Sequence, residues 1–230
     1  MTKRIGILGG ISAASTAEYY ERIIRKYFAR RGDYYYPEIV IFSLNFQRFT
    51  DYEDAGDRSG YITEIMSGVR ALERAGVDFI IMAANSPHAV FADVSAQAAV
   101  PMLSIVRVTA QAAHARGLRR LLLLGIKFTM QNSFYAETGR EFDLAIVTPA
   151  EAEQDEINAI IFDELAREII AETSRRRLLE IIRRYPVDGV ILGCTELPLI
   201  LNQDVAIDIP LLDTLDLHAQ AALDFALADD

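Results

Sequence analysis

The chain has 230 residues, 51% of them hydrophobic, and a formal net charge of −10 from 33 acidic and 23 basic side chains. A chain of this length and apolar content buries roughly 70% of its unfolded surface, which excludes disorder as its main character. The negative balance repels polyphosphate backbones and anionic lipid, so neither nucleic acid nor a membrane is an expected partner.

In chain order, Lys3-Arg4 precedes Ile5-Gly6-Ile7-Leu8-Gly9-Gly10, which reaches Ser12 without a long apolar core or a signal-cleavage pattern. It reads as a first strand over residues 4–8, and the expected location is the cytoplasm. Further strands are predicted over 38–42, 77–82, 102–105, 121–124, 144–147, 187–192 and 211–212. Between them, helices are predicted over 15–29, 60–75 and 155–172 from small hydroxyl residues at the start and apolar periodicity. The apolar runs at 79–84 and 121–124 stop far short of the roughly 20 residues that cross a bilayer. Alternation of buried-type strands with amphipathic helices makes the fold class α/β, with parallel sheets joined by right-handed crossovers.

The chain also repeats itself. Val77-Asp78-Phe79-Ile80-Ile81-Met82-Ala83-Ala84-Asn85 lies over Val187-Asp188-Gly189-Val190-Ile191-Leu192-Gly193-Cys194-Thr195, and Val100-Pro101-Met102-Leu103-Ser104 lies over Ile209-Pro210-Leu211-Leu212-Asp213. Lys3 to Gly9 likewise resembles Arg119 to Gly125. The expected architecture is two pseudo-symmetric lobes, each a parallel sheet flanked by helices, with a site in the cleft between them. The expected boundaries are residues 1–106 with 210–230 for the first lobe and 107–209 for the second.

Candidate chemistry collects at predicted strand ends. Cys194 is the only cysteine, so no internal disulfide forms, and with His88, His114 and His218 scattered it matches no zinc spacing. In Gly193-Cys194-Thr195-Glu196-Leu197-Pro198 the strand turns into a helix whose start is expected to lower the thiol pKa, although a free cysteine also serves as core filler. Asn85 and Ser86 offer an amide and a hydroxyl suited to a carboxylate, and they are equally turn formers. His88 reads either as an acid/base or orienting group or as a structural residue. Gly9-Gly10-Ile11-Ser12 lacks the spacing of a dinucleotide loop and fits the approach of Ser12 and nearby amides to a small anion. Arg48 and Lys127 follow strands and could each clamp a carboxylate, with solvated surface charge as the alternative. Tyr34-Tyr35-Tyr36 reads as a packed aromatic cluster or a substrate entrance.

The set Gly9-Gly10-Ile11-Ser12 with Ser15-Thr16 and Tyr19-Tyr20, then Ala84-Asn85-Ser86-Pro87-His88, Gly125-Ile126-Lys127-Phe128-Thr129-Met130 and Gly193-Cys194-Thr195-Glu196, resembles the aspartate/glutamate racemase superfamily. The resemblance runs over nearly the whole chain and is closest to the aspartate racemase branch. It implies an enzyme that needs no cofactor or metal, acts on a small amino acid or dicarboxylate, and forms a homodimer, for which the apolar edge 197–201 offers surface. It further implies two cysteines, one removing the α-proton as thiolate and the other returning it as thiol, while hydrogen bonds stabilise the carbanion. Cys194 matches one of them. Ser12, Arg48, Asn85, Ser86, His88, Thr129, Thr195 and Glu196 match positions that hold substrate.

Two departures stand out. Ala84 occupies the position of the other cysteine and has no transferable proton, so a different group must serve there, with His88, Ser86 or water as substitutes. Ala166 stands where aspartate-specific members carry a lysine, which opens the substrate to other amino acids. The leading expectation is an amino-acid racemase. A decarboxylase or isomerase working with one thiol, and a carboxylate-binding homologue with little turnover, are the alternatives.

Overall fold

The structure, a computed structural model, describes residues 2–202 and 207–228. The chain divides into two compact units, Met1–Ile105 with Leu215–Asp230, and Val106–Thr214. No helix among the described residues is long and apolar enough to cross a membrane.

The first unit runs β1 (Ile5–Gly9), α1 (Ala13–Arg31), β2 (Ile39–Ser43), α2 (Phe46–Asp54), α3 (Arg58–Arg74), β3 (Phe79–Met82), a 3₁₀ turn (Ser86–Val90), α4 (Phe91–Ser95) and β4 (Met102–Leu103). The chain then enters α5 (Ile105–Ala115). Its four strands pair in parallel in the order β2-β1-β3-β4, with Ile7 opposite both Ile41 and Ile81. Strands β1 and β3 are fully buried, because helices cover both faces of a parallel sheet. Helix starts are set by side-chain caps: Ser12 accepts from the Ser15 N–H, Asn45 from Arg48 and Asp57 from Gly60.

The second unit runs β5 (Arg120–Leu124), α6 (Lys127–Gln131), α7 (Phe134–Arg140), β6 (Ala145–Val147), α8 (Glu151–Ala159), α9 (Glu172–Arg183), β7 (Gly189–Leu192), α10 (Leu197–Ile200) and β8 (Leu211–Asp213), and α11 (Thr214–Leu227) follows. Its parallel order, β6-β5-β7-β8, repeats that of the first sheet strand for strand. The internal repeat seen in sequence is therefore a repeat of topology. Asp78 and Asp188 do the same work in it. Each carboxylate accepts main-chain N–H groups at the start of the neighbouring strand, from Arg4 in one unit and from Arg119 and Arg120 in the other.

Each unit has its own core. Leu8, Ile65, Val69, Leu72, Ile80 and Met82 fill one face of the first sheet. Ile5, Ile7, Tyr19, Ile23, Phe79 and Ile81 fill the other face, together with Leu215, Ala219 and Leu223 of α11. In the second unit Leu122, Leu124, Ile157, Leu178, Ile181, Val190 and Leu192 pack together. Truncating a fully buried member such as Ile81 or Leu124 to alanine is worth about 2–5 kcal/mol.

The structure corrects three expectations about the chain. The segment from residue 210 does not return at once to the first unit, because Leu211–Asp213 pairs with β7 and the return comes at Leu215. The helix expected over 155–172 begins at Glu151, passes into a π turn over Ile160–Glu164 and a 3₁₀ turn over Leu165–Arg167, and stops where Glu168 adopts φ 61°. The edge 197–201 is largely interior: Leu197, Ile200 and Leu201 belong to the second unit's core, and only Leu199 of its leucines is exposed.

Candidate active site

In the second unit, the ends of β5 and β7 lie close enough that glycine is required. A Cβ on Gly193 would come 2.9 Å from the Leu124 carbonyl oxygen, and one on Gly125 would come 3.0 Å from that of Gly193. Cys194 follows Gly193 and is half-buried against the second core. Its thiol donates to Glu196 Oε2 at 2.8 Å, and the Thr195 hydroxyl donates to the same oxygen at 2.9 Å. Burial pushes the thiol pKa well above its usual value. The Glu196 carboxylate adds to that shift, while the N–H groups of Glu196 and Thr195 oppose it. The expected lowering is thus reversed: α10 is a four-residue turn, and the nearest full charge is an anion. At neutral pH Cys194 is a thiol. Thr129 is buried beside the two strand-end glycines, its methyl 3.3 Å from where a Gly125 Cβ would stand, and its hydroxyl has no hydrogen-bond partner.

In the first unit, β1 ends at Gly9 and turns through Gly10, which has φ 85°. A Cβ there would fall 2.3 Å from the Leu44 carbonyl oxygen, so only glycine fits. Thr16 locks this turn. Its hydroxyl donates to the Ser12 carbonyl and accepts from the Gly10 N–H, both at 2.8 Å. Ser12 is half-buried and faces Ser15, with 3.2 Å between hydroxyls. Beyond β3, Ala84, Asn85 and Ser86 are all buried, and the Ala84 methyl belongs to the apolar core. The Ser86 hydroxyl bonds to Glu53 of α2 and Tyr61 of α3, and Tyr61 Oη donates to Glu53 Oε2 at 2.9 Å.

A family model described as Asp/Glu/Hydantoin racemase matches residues 8–222. The chain belongs to that racemase family. It is accordingly an enzyme of the isomerase class. It is similar to the broad specificity amino-acid racemase RacX of Bacillus subtilis, 26% identical over 97% of this chain and 98% of the relative. It is also similar to the crystal structure of an aspartate racemase homologue from Pyrococcus horikoshii, at 37% identity, covering 98% of this chain and 100% of that one with a TM-score of 0.87. The aspartate racemase of Picrophilus torridus, at 24% identity and a TM-score of 0.78 over 97% of this chain and 94% of that one, shares the fold.

Several residues singled out in this racemase from sequence have other work. His88 is buried, with both ring nitrogens bonded to main chain. Its Nδ1 bonds the Ala84 carbonyl at 3.1 Å, its Nε2 accepts from the Ile105 N–H at 3.2 Å, and its ring stacks on Phe91 at 5.2 Å. Burial lowers its pKa to about 3, so it stays neutral. Glu196 accepts the hydrogen bond of the thiol. Arg48 is exposed and faces Glu64 at 3.6 Å. Lys127 is committed to Asp155 at 2.5 Å, with Glu151 at 3.8 Å. Tyr34 and Tyr36 meet Phe28 of α1 edge-on, yet all three tyrosines of the run are exposed, Tyr34 and Tyr35 most of all, so they are not a packed cluster. Ala166 lies exposed in the 3₁₀ turn that ends the broken helix. Glu53 and Tyr61 went unnoticed in sequence: no motif marks them, and only the packing of α2 and α3 brings them to Ser86.

Proposed function

We propose that this chain is an amino-acid racemase that exchanges the α-proton through the Cys194 thiol without a cofactor. The observation that carries the reading is the 2.8 Å hydrogen bond from the thiol to Glu196, which joins a proton donor to a base at the end of a central strand. The resting thiol is ready to give a proton. To take one, it first passes its own to the Glu196 carboxylate; the thiolate then accepts Hα, and the electron pair of the C–H bond remains on Cα. Return of the proton by the thiol to the same face restores the original enantiomer. Inversion requires delivery from the opposite face, where Ala84 has no proton to give and the Ser86 hydroxyl or a water molecule is assigned that delivery. Glu196 and the thiolate then keep the proton taken from Cα until solvent exchanges it.

The carbanion is delocalised into the α-carboxylate, so donors that hold the carboxylate lower the barrier. In the second unit the Thr129 hydroxyl, which has no partner, is assigned this work, joined by the Thr195 hydroxyl once Glu196 has taken the thiol proton and no longer claims it. In the first unit Ser12, Asn85 and Ser86 are assigned it, with the exposed Arg48, 3.6 Å from Glu64, as the cation that would turn to a distal carboxylate. Aspartate is one candidate substrate, and Ala166 supports a wider range of amino acids. Ala84 supports the competing reading of a decarboxylase or isomerase that needs one proton delivery only, and also that of a binding homologue. We place the enzyme in the cytoplasm as a homodimer; a sedimentation coefficient of a single chain would remove the second part.

Proton NMR of L- and D-amino acids in deuterium oxide, followed by chiral chromatography, tests the reading. Loss of the α-proton signal together with appearance of the other enantiomer is expected, and both disappear in Cys194→Ala. Exchange with retention identifies a one-base site. Absence of exchange, with turnover of a malonate-type acid, establishes the decarboxylase.

A further inference from the structure

We propose that Glu53 is a positioning residue that controls the Ser86 hydroxyl, so that binding a substrate carboxylate at Ser86 takes up one proton on Glu53. The proposal rests on the reading above only in placing a carboxylate at the end of β3.

Three buried or half-buried groups meet there: Glu53 from the last turn of α2, Tyr61 from the first turn of α3, and Ser86 just beyond β3. Tyr61 donates to Glu53 at 2.9 Å and is fixed by its ring, 4.6 Å from that of Phe49. Ser86 bonds both partners. The groups that act on Glu53 are these two hydroxyls, which favour its charged form, and Asp54, which opposes it. Other charges on the packed elements are committed elsewhere, Arg48 to Glu64, Arg58 to Asp93 and Asp57 to the cap of α3, while His88 is held neutral. Burial raises the Glu53 pKa above the ordinary carboxylate range.

A hydroxyl has one proton to give, and an ionised carboxylate only accepts. While Glu53 is charged, Ser86 spends its proton on it and presents only lone pairs to an incoming carboxylate, the wrong polarity. Protonated Glu53 donates to Ser86 Oγ instead, which frees the Ser86 proton for the ligand. A second carboxylate nearby raises the Glu53 pKa further, in the same direction. Per ligand bound above the free pKa of Glu53, one proton leaves solvent and resides on Glu53; no other bond changes.

The test is calorimetric titration of L-aspartate from pH 5.5 to 8 in buffers of different ionisation enthalpy. Wild-type affinity should fall about tenfold per pH unit above the free Glu53 pKa, with uptake approaching one proton. Glu53→Gln places an amide where the protonated acid would be; its affinity should be independent of pH, without proton uptake, and above wild type at pH 8. Tyr61→Phe removes a donor that favours the charged form, so the wild-type inflection should move to higher pH, and this variant decides the matter if Glu53→Gln does not fold. A pH-independent wild type, an unchanged slope in the variants, or no binding of L-aspartate overturns the proposal. Cys194→Ala should keep the pH-dependent binding while losing exchange, so failure of the thiol reading would be recognised separately.

Discussion

The ends of β3 and β7 are the same place built twice, and they carry different chemistry. Both strands lie third in identically ordered sheets, both are preceded by an aspartate that ties down the neighbouring strand, and both are followed by a small residue, Ala83 or Gly193. At β7 the next group is a thiol donating to a carboxylate two residues away. At β3 it is a methyl group in an apolar core, followed by a hydroxyl tied to a distant glutamate and tyrosine. Duplication preserved the scaffold, whose cost of change is packing and main-chain hydrogen bonding, and left the strand-end side chains free to diverge.

The largest expected effects come from exchanging these two ends. Cys194→Ala should lower α-proton exchange by about 10²–10⁴-fold, the worth of a positioned acid/base, with the thermal unfolding transition retained. Ala84→Cys makes the ends alike, and racemisation should rise by roughly 10²-fold on the same scale. The added sulfur enters a core site with 6% exposure, at a cost of about 1–3 kcal/mol visible in urea unfolding. An unchanged racemisation rate in a folded Ala84→Cys protein would mean that the first unit no longer presents this position to substrate.

Glu196→Gln sharpens the second end. Glu196 holds the thiol pKa up by charge and by accepting its proton, so the variant's thiol should ionise at lower pH. Alkylation at pH 8 should quicken several-fold while exchange falls about tenfold, because the more abundant thiolate has lost its proton acceptor. A variant in which alkylation and exchange rise together would show that Glu196 only suppresses the thiol.

Much of this architecture was legible in sequence because buried parallel strands are short, apolar and β-branched. The eight strands among the described residues, and the repeat that relates them, follow from that pattern; the crowding that requires Gly125 and Gly193 became visible only in the fold. The boundary at residue 210 was misplaced because Leu211-Leu212-Asp213 carries no mark of which sheet it joins; pairing with β7 decides it. The break after Ala159 was invisible because apolar periodicity continues through the π turn. At the candidate site the residue types could be read but not their partners. A cysteine before a short turn suggests a low pKa, whereas burial and an anion make it high. His88 carries the same letter whether it faces substrate or, as here, has both ring nitrogens engaged by main chain.

The buried histidines of the first unit and the buried thiol of the second should also weaken the fold at opposite ends of the pH scale. In the first, burial holds His88 at about 3 and His218 at about 4, against about 6.5 in an unfolded chain. Below pH 6.5 the unfolded chain binds protons that the fold refuses, so stability falls with pH until those lower values are reached. At pH 5 the loss is about 2 kcal/mol per histidine. In the second unit the raised thiol pKa of Cys194 works the other way. Unfolding releases that proton above about pH 8.5, so stability is lost as pH rises from there. Urea midpoints from pH 4 to 10 should show both flanks. Cys194→Ala should flatten only the alkaline one, and a change in the acid flank instead would assign the titrations wrongly.

The smallest effect asks whether the repeat is energetic as well as topological. Asp78→Asn and Asp188→Asn each weaken one equivalent tie between an aspartate and the start of a neighbouring strand. Main-chain donors hold the Asp188 pKa below its usual value, so its contribution is present above about pH 4 and fades as the carboxylate protonates below that. Asp188 receives two N–H groups where Asp78 receives one from Arg4, so melting temperatures at pH 7 should fall in both variants and further in Asp188→Asn. The gap should close on acidification. A larger drop in Asp78→Asn would show that the two units no longer share the bond that their sequences still spell alike.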